Sequence, residues 1–216
     1  MKRREKYDNS VLKYHIGNIM NMLPDGTGYK SCWMVVEGCN QMEIANTLLD
    51  ISEQRRCDYH DALGQLGNAN SYDKMIMITA DYNCQNYVIG HEISSIFYEY
   101  DSFIQKISVF PKVYVYMTNR VSDCHGFAVF EYGSPVRLYS YDEEKLRSIG
   151  MPLKEELEMN LQLPQNFEEV RNYILNDISK LIDEEIIIKL AKKQTGIDIE
   201  NYPYDDVIIG KFETNV

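Results

Sequence analysis

The chain has 216 residues, 44% hydrophobic and 25% charged, enough for a sizeable core, and no apolar run approaches the ~20 residues of a membrane-spanning helix. Its 33 acidic and 22 basic residues give a formal net charge of -11, which disfavours direct nucleic-acid binding and favours encounter with a basic partner. Cys32, Cys39, Cys57, Cys84 and Cys124 are irregularly spaced with no C-x-x-C pair, so neither a disulfide framework nor a zinc knuckle is expected.

The basic start Met1-Lys2-Arg3-Arg4-Glu5-Lys6 leads into polar residues and not into an apolar signal core, which predicts a cytoplasmic chain without membrane contact. Val11, Tyr14 and Ile19 are spaced like a short helix, and Pro24-Asp25-Gly26-Thr27-Gly28 ends it. Residues 1–30 therefore read as a helix-and-loop segment ahead of a single domain over 31–216. Residues 31–36 are strand formers, with Trp33 expected in the core; 41–51 carry Met42, Ala45, Leu48 and Leu49 at helical spacing. The polar stretch 52–70, with Gly64 and Gly67, reads as a long connection. Residues 74–80 and 85–89 read as two strands joined through Asp81-Tyr82-Asn83-Cys84.

Ile93, Ile96, Phe97, Tyr100, Phe103, Ile104 and Ile107 recur at the spacing of an amphipathic helix, and His91-Glu92 start it after Gly90. Residues 112–117, 127–132 and 136–141 alternate apolar and polar or aromatic positions across tight turns, predicting three antiparallel strands in a meander. Beyond Gly150-Met151-Pro152 the pattern turns helical: a short turn at 153–157, a helix over 167–181, and a last helix over 184–194 capped by Asp183 and ended by Gly196. Residues 206–212 add a terminal strand. The predicted fold is α+β, a mostly antiparallel sheet with a central β-meander, helices packed on one side, and a helical C-terminal third.

No glycine-rich phosphate loop occurs, and His15, His60, His91 and His125 show no metal-ligand spacing, so no cofactor and no metal are expected. Cys124 beside His125 invites a nucleophile-and-base reading, but neighbours on an extended chain point to opposite faces. A loop thiol and a hydrogen-bonded histidine are expected instead, with no catalytic residue. The paired carboxylates of the last third are expected on exposed helix faces. Tyrosine and arginine offer large contact area with a polar end, and the meander concentrates both. The candidate binding residues are Tyr114, Tyr116, Arg120, Asp123, His125, Arg137, Tyr139 and Tyr141; the competing expectation is a tyrosine face covered by the Ile93 helix or the C-terminal helices.

Tyr116-Met117-Thr118-Asn119-Arg120-Val121, then Gly126-Phe127-Ala128, then Gly133-Ser134-Pro135-Val136-Arg137-Leu138-Tyr139-Ser140-Tyr141 resemble a loose group of uncharacterised bacterial proteins, several of them immunity-like. Gly150-Met151-Pro152 and the helix start Asp183-Glu184-Glu185 fit that pattern, whereas Asn119 and Gly126 depart from it. The resemblance implies an immunity-type protein and brings no catalytic residues. Three functions follow as expectations: an acidic protein-interaction module that neutralises a toxin or effector, a small-molecule binder or enzyme around Arg120, Asp123, His125 and Arg137, and an acidic mimic of nucleic acid. A protein partner, basic in character, is the expectation carried furthest.

Overall fold

The computed structural model describes residues 30–68, 74–98, 100–119, 124–141, 146–176, 182–196 and 206–212. Residues 1–29 of the expected N-terminal segment, 177–181 of the expected 167–181 helix, and the candidates Arg120 and Asp123 lie outside the described residues. In chain order the elements are β1 (Lys30–Glu37), α1 (Gln41–Leu48), β2 (Arg55–Cys57), α2 (Tyr59–Asn68), β3 (Met75–Thr79) and β4 (Gln85–Ile89). A 3-10 turn (His91–Ser94) leads to α3 (Ser95–Tyr98) and α4 (Tyr100–Ile107). Then come β5 (Lys112–Asn119), β6 (Cys124–Glu131), β7 (Ser134–Tyr141), β8 (Leu146–Ile149), α5 (Lys154–Glu158), α6 (Phe167–Asn176), α7 (Glu184–Thr195) and β9 (Val207–Lys211).

The described strands form one sheet of order β2-β9-β3-β4-β1-β5-β6-β7-β8, with β1 in the middle of them. Each of these pairings is antiparallel. The α+β class and the meander β5-β6-β7 are thus as predicted, and β8 extends the meander by a fourth strand. β9, the last of the described strands, inserts between β2 and β3.

Helices cover both faces of this sheet, where the sequence pattern predicted one. Alternation explains it: Trp33 and Val35 of β1 pack with Tyr116, Phe127, Ala62 and Leu66 of α2, and Ile187 and Leu190 of α7. Met34 and Val36 point the other way, toward Ile44 and Leu48 of α1 and Phe103 and Ile107 of α4. A strand that is apolar at every position loses solvation on two faces at once, so each face needs its own cover. Tyrosine at alternate positions disguised the second face as a wettable one.

Local chemistry sets the helix ends. Asn40 and Glu43 form a reciprocal capping box at α1, the Asn40 side chain accepting Glu43 N–H at 3.0 Å and Glu43 accepting Asn40 N–H at 2.8 Å. The buried side of α1 is Gln41, Ile44, Ala45 and Leu48, and Met42 of the predicted stripe is exposed. Asp183 caps α7 by accepting Ile186 N–H at 2.8 Å, and Gly196 ends it with φ of 70°, as predicted. The expected connection over 52–70 holds β2 and α2 instead. Asp58 accepts Asp61 N–H at 2.9 Å, and Ala62 and Leu66, one turn apart, bury; Gly64 between them had masked the helical spacing. No helix among the described residues is long and apolar enough to cross a membrane.

Candidate functional site

One register row crosses the whole sheet on the α2 and α7 face. From edge to edge it reads Arg55, Ile209, Met77, Ile89, Trp33, Tyr116, Phe127, Tyr139 and Ser148, each paired with the next. The aromatic half of this row gathers several of the predicted site residues. Trp33 stacks on Tyr116 with ring centroids 5.3 Å apart, and Phe127 stacks on Tyr139 at 6.1 Å. The Tyr116 hydroxyl donates to Gln194 Oε1 of α7 at 2.8 Å, which locks the helix to the strand. Burial pushes the Tyr139 hydroxyl well above the ordinary tyrosine value and raises that of Tyr114 as well.

Arg137 lies beside this row with its guanidinium carbon 5.7 Å from the ring centroids of both Phe127 and Tyr139. Its Nε donates to Glu156 Oε1 at 2.9 Å and its Nη2 to Glu156 Oε2 at 3.0 Å, a two-point pair whose members are each 1% exposed. Nη1 donates to Ser148 Oγ at 3.0 Å and to the carbonyls of Ile149 and Gly150 at 3.2 and 3.3 Å. Ser148 in turn donates to Gln165 Oε1 at 3.0 Å. Glu156 Oε1 also accepts Leu153 N–H at 2.9 Å, so the same carboxylate holds the start of α5. The arrangement neutralises a buried cation and ties β7, β8 and α5 together; its donors are spent inside the protein.

The other candidates occupy a different row. Thr118 Oγ1 and His125 Nδ1 are hydrogen-bonded at 2.8 Å, and His125 pairs in register with Tyr141. Arg137 is four residues along β7 from Tyr141, about 13 Å at strand rise, so Arg137 and His125 do not share a site. Tyr114 stands at the opposite end of the face, its hydroxyl 3.5 Å from Glu37 Oε2, with Lys112 Nζ 5.1 Å from its ring centroid. Tyr114, Tyr116, Tyr139 and Tyr141 are all buried, under the C-terminal helices in the manner of the competing expectation.

Three sequence expectations need correction here. Cys124 and His125 belong to β6 and are buried, since Asn119 pairs with Cys124 and Thr118 with His125 inside the sheet. Glu156 and Glu184 are buried, where exposed helix faces were expected for the carboxylate pairs. β8 itself went unpredicted: four residues, Leu-Arg-Ser-Ile, carry too little alternation to register. Glu156, Ser148 and Gln165 were missed as partners of Arg137. The one sequence signal was Glu156 three residues after Leu153, which itself follows Pro152, the spacing of a helix start.

All five cysteines are free, and no group of three or more His, Cys, Asp or Glu side chains that could hold a metal occurs among the described residues. No protein-family model, no curated protein and no solved structure matches the chain.

Nine large apolar side chains are exposed among the described residues, and six of them, Val109, Tyr132, Val136, Ile149, Met151 and Leu157, belong to the meander turn, β7, β8 and the segments beside them. Tyr132 N–H donates to the Pro111 carbonyl at 3.3 Å, which brings the β6–β7 turn next to Val109. Gly150 lies against the Val136 backbone, which brings the chain around Ile149 and Met151 close to Val136. Among the described residues this corner holds most of the exposed large apolar side chains.

Proposed function

We propose that this chain is a cytoplasmic protein-interaction module that engages a basic protein partner, with neutralisation of a toxin or effector, as by an immunity-type protein, as its most concrete form. The observation that carries the reading is the apolar corner formed by Val109, Tyr132, Val136, Ile149, Met151 and Leu157. Exposed apolar side chains gathered in one place cost solubility and mark contact surfaces, while a net charge of -11 steers an oppositely charged protein toward them. The small-molecule reading loses its central residue, since the Arg137 guanidinium is closed off by Glu156 and backbone carbonyls.

The test is to retain a protein from the source cell on the immobilised chain, purify it, and titrate it against wild type and against Tyr132→Asp and Met151→Asp. Support requires an association rate that falls as salt rises, affinity lost in the substituted chains, and growth inhibition by the partner that co-expression of this chain relieves. A partner whose binding ignores both salt and these substitutions sinks the reading.

A further inference from the structure

The link from β1 to α1 passes over the tip of the β3–β4 hairpin. Gly38 N–H donates to the Cys84 carbonyl at 3.1 Å, one step beyond the Glu37–Gln85 pair. A few residues on, Gln41 N–H donates to Asp81 Oδ1 at 2.8 Å. Asp81 stands on the β3 side of the tip and Cys84 on the β4 side, and Tyr82 and Gln85 close it with backbone bonds of 2.9 and 3.0 Å. Because β4 lies between β1 and β3 in the sheet, a chain that leaves β1 at Gly38 and reaches Asp81 by Gln41 crosses the start of β4, with Cys39 on the crossing. Left-handed Gly38, with φ of 78°, makes the bend.

Opposed residues of an antiparallel pair have Cα atoms about 5.5 Å apart, and consecutive Cα atoms are about 3.8 Å apart. A step straight away from the hairpin would leave Cys39 about 9 Å from Cys84, whereas a step back across β4 brings it toward the ~4.4 to 6.8 Å that a disulfide spans. Cys39 is half-buried against the core on the α1 side, and Cys84 is exposed. The other thiols are placed elsewhere. Cys32 is buried and donates to the Tyr116 carbonyl at 3.1 Å, Cys57 sits on β2 with β9 and β3 between it and β4, and Cys124 is buried on β6. Cys32 and Cys57 are nearer to Cys39 in sequence, so it is the fold that selects Cys84.

We propose that Cys39 and Cys84 form a reversible thiol-modification site, which takes a low-molecular-weight disulfide of the glutathione class and closes into an intramolecular bridge. The exposed Cys84 thiolate attacks one sulfur of the reagent, whose S–S bond breaks and releases one thiol; Cys84 is left as a mixed disulfide. The Cys39 thiolate then attacks Cys84 Sγ, the mixed disulfide breaks, and the second small thiol leaves. Two protein thiols are oxidised, one reagent disulfide is reduced to two thiols, and the two protons lost by the cysteines end on them. Burial, and after it the Glu43 carboxylate, raise the Cys39 thiol above its ordinary pKa, which suits it to the second, slower attack. The bridge staples the start of α1 to the β3–β4 hairpin, and excess thiol reopens it. The site lies away from the apolar corner and does not depend on a protein partner.

The experiment treats the folded full chain with oxidised glutathione, quenches by acid and alkylation, and maps every cysteine by mass spectrometry in wild type, Cys39→Ser and Cys84→Ser. Wild type should yield the Cys39–Cys84 bridge with no glutathione retained. Cys39→Ser should stop at the glutathione adduct of Cys84, and in Cys84→Ser the adduct at Cys39 should form about tenfold more slowly or less. Since Cys84 is exposed, Cys84→Ser should melt at the wild-type temperature. In denaturant the preference for this pair should disappear, because it comes from the fold.

A wild-type protein that stops at the Cys84 adduct overturns the proposal, as does one whose Cys84 stays unreacted. A bridge from Cys84 to Cys32, Cys57, Cys124 or a second chain overturns it too. So does an equal preference for Cys39–Cys84 in the unfolded chain.

Discussion

Arg137 and Glu156, 19 positions apart in sequence, meet as a two-point ion pair at 2.9 and 3.0 Å with each side chain 1% exposed. Neither charge has water to fall back on. Removing one partner leaves the other buried and uncompensated, whereas removing both leaves an apolar gap that side chains of similar volume can fill. Arg137→Leu and Glu156→Leu should each destabilise by about 3 to 5 kcal/mol, and Arg137→Met with Glu156→Leu should recover most of that loss. Denaturant unfolding of the four proteins checks it; strictly additive losses would show that the pair is not coupled.

Gly150 and Gly196 both adopt left-handed backbone, with φ of 79° and 70°. Only Gly150 is crowded as well: a Cβ there would fall on the carbonyl oxygen of Val136, while one at Gly196 meets nothing within 4 Å. Gly196→Ala should cost about 1 kcal/mol, the ordinary left-handed penalty. Gly150→Ala should cost about 3 kcal/mol or more, since β7 and β8 must part to admit it. Equal melting temperatures for the two variants would contradict this geometry.

Trp33 occupies the middle strand, 1% exposed and stacked on Tyr116. Trp33→Ala should lower stability by about 3 to 5 kcal/mol through lost burial and an unfilled cavity. Chemical unfolding followed by circular dichroism, which does not depend on the deleted fluorophore, is the measurement. An unchanged midpoint would remove Trp33 from the core.

Burial raises the hydroxyl pKa of Tyr59, Tyr114 and Tyr139 above the ordinary 10.0. A raised folded-state value means that the native protein keeps protons the unfolded chain releases. The associated stability is fully present below pH 10 and is lost as pH rises beyond it. Melting temperature should therefore decline steeply above about pH 10, and Tyr59→Phe with Tyr139→Phe should soften that decline. A wild-type profile that stays flat through alkaline pH would count against buried, neutral hydroxyls.

Thiol reactivity should follow position in the fold. Cys84 is exposed, Cys39 and Cys57 are half-buried, and Cys32 and Cys124 are buried. Burial also raises the thiol pKa of Cys32 well above its ordinary value, which keeps the unreactive protonated form. A thiol reagent should modify Cys84 first and reach Cys32 and Cys124 only on unfolding. Native-state labelling of Cys32 at the rate of Cys84 would refute the packing of β1.

Local chemistry alone determined much of this protein. The strand β1, the hairpin β3–β4, the meander, the Asp183 cap and the Gly196 stop were legible because each depends on residues a few positions apart: alternation, turn formers, capping side chains. The α+β class followed from their order. Tertiary structure alone decided where that order placed things. Sequence alternation at Tyr114 and Tyr116 cannot say whether a tyrosine face meets solvent or a helix, and α7, some 70 residues later, covers it. Glu156 looked like one more solvated carboxylate until the fold delivered it to Arg137. The candidate cluster came apart for the same reason, since strand rise separates His125 and Arg137 by register, whatever their nearness in the chain. Long-range pairing, which fixes faces, partners and free edges, is set by the summed burial of the whole sheet and by no single segment of it.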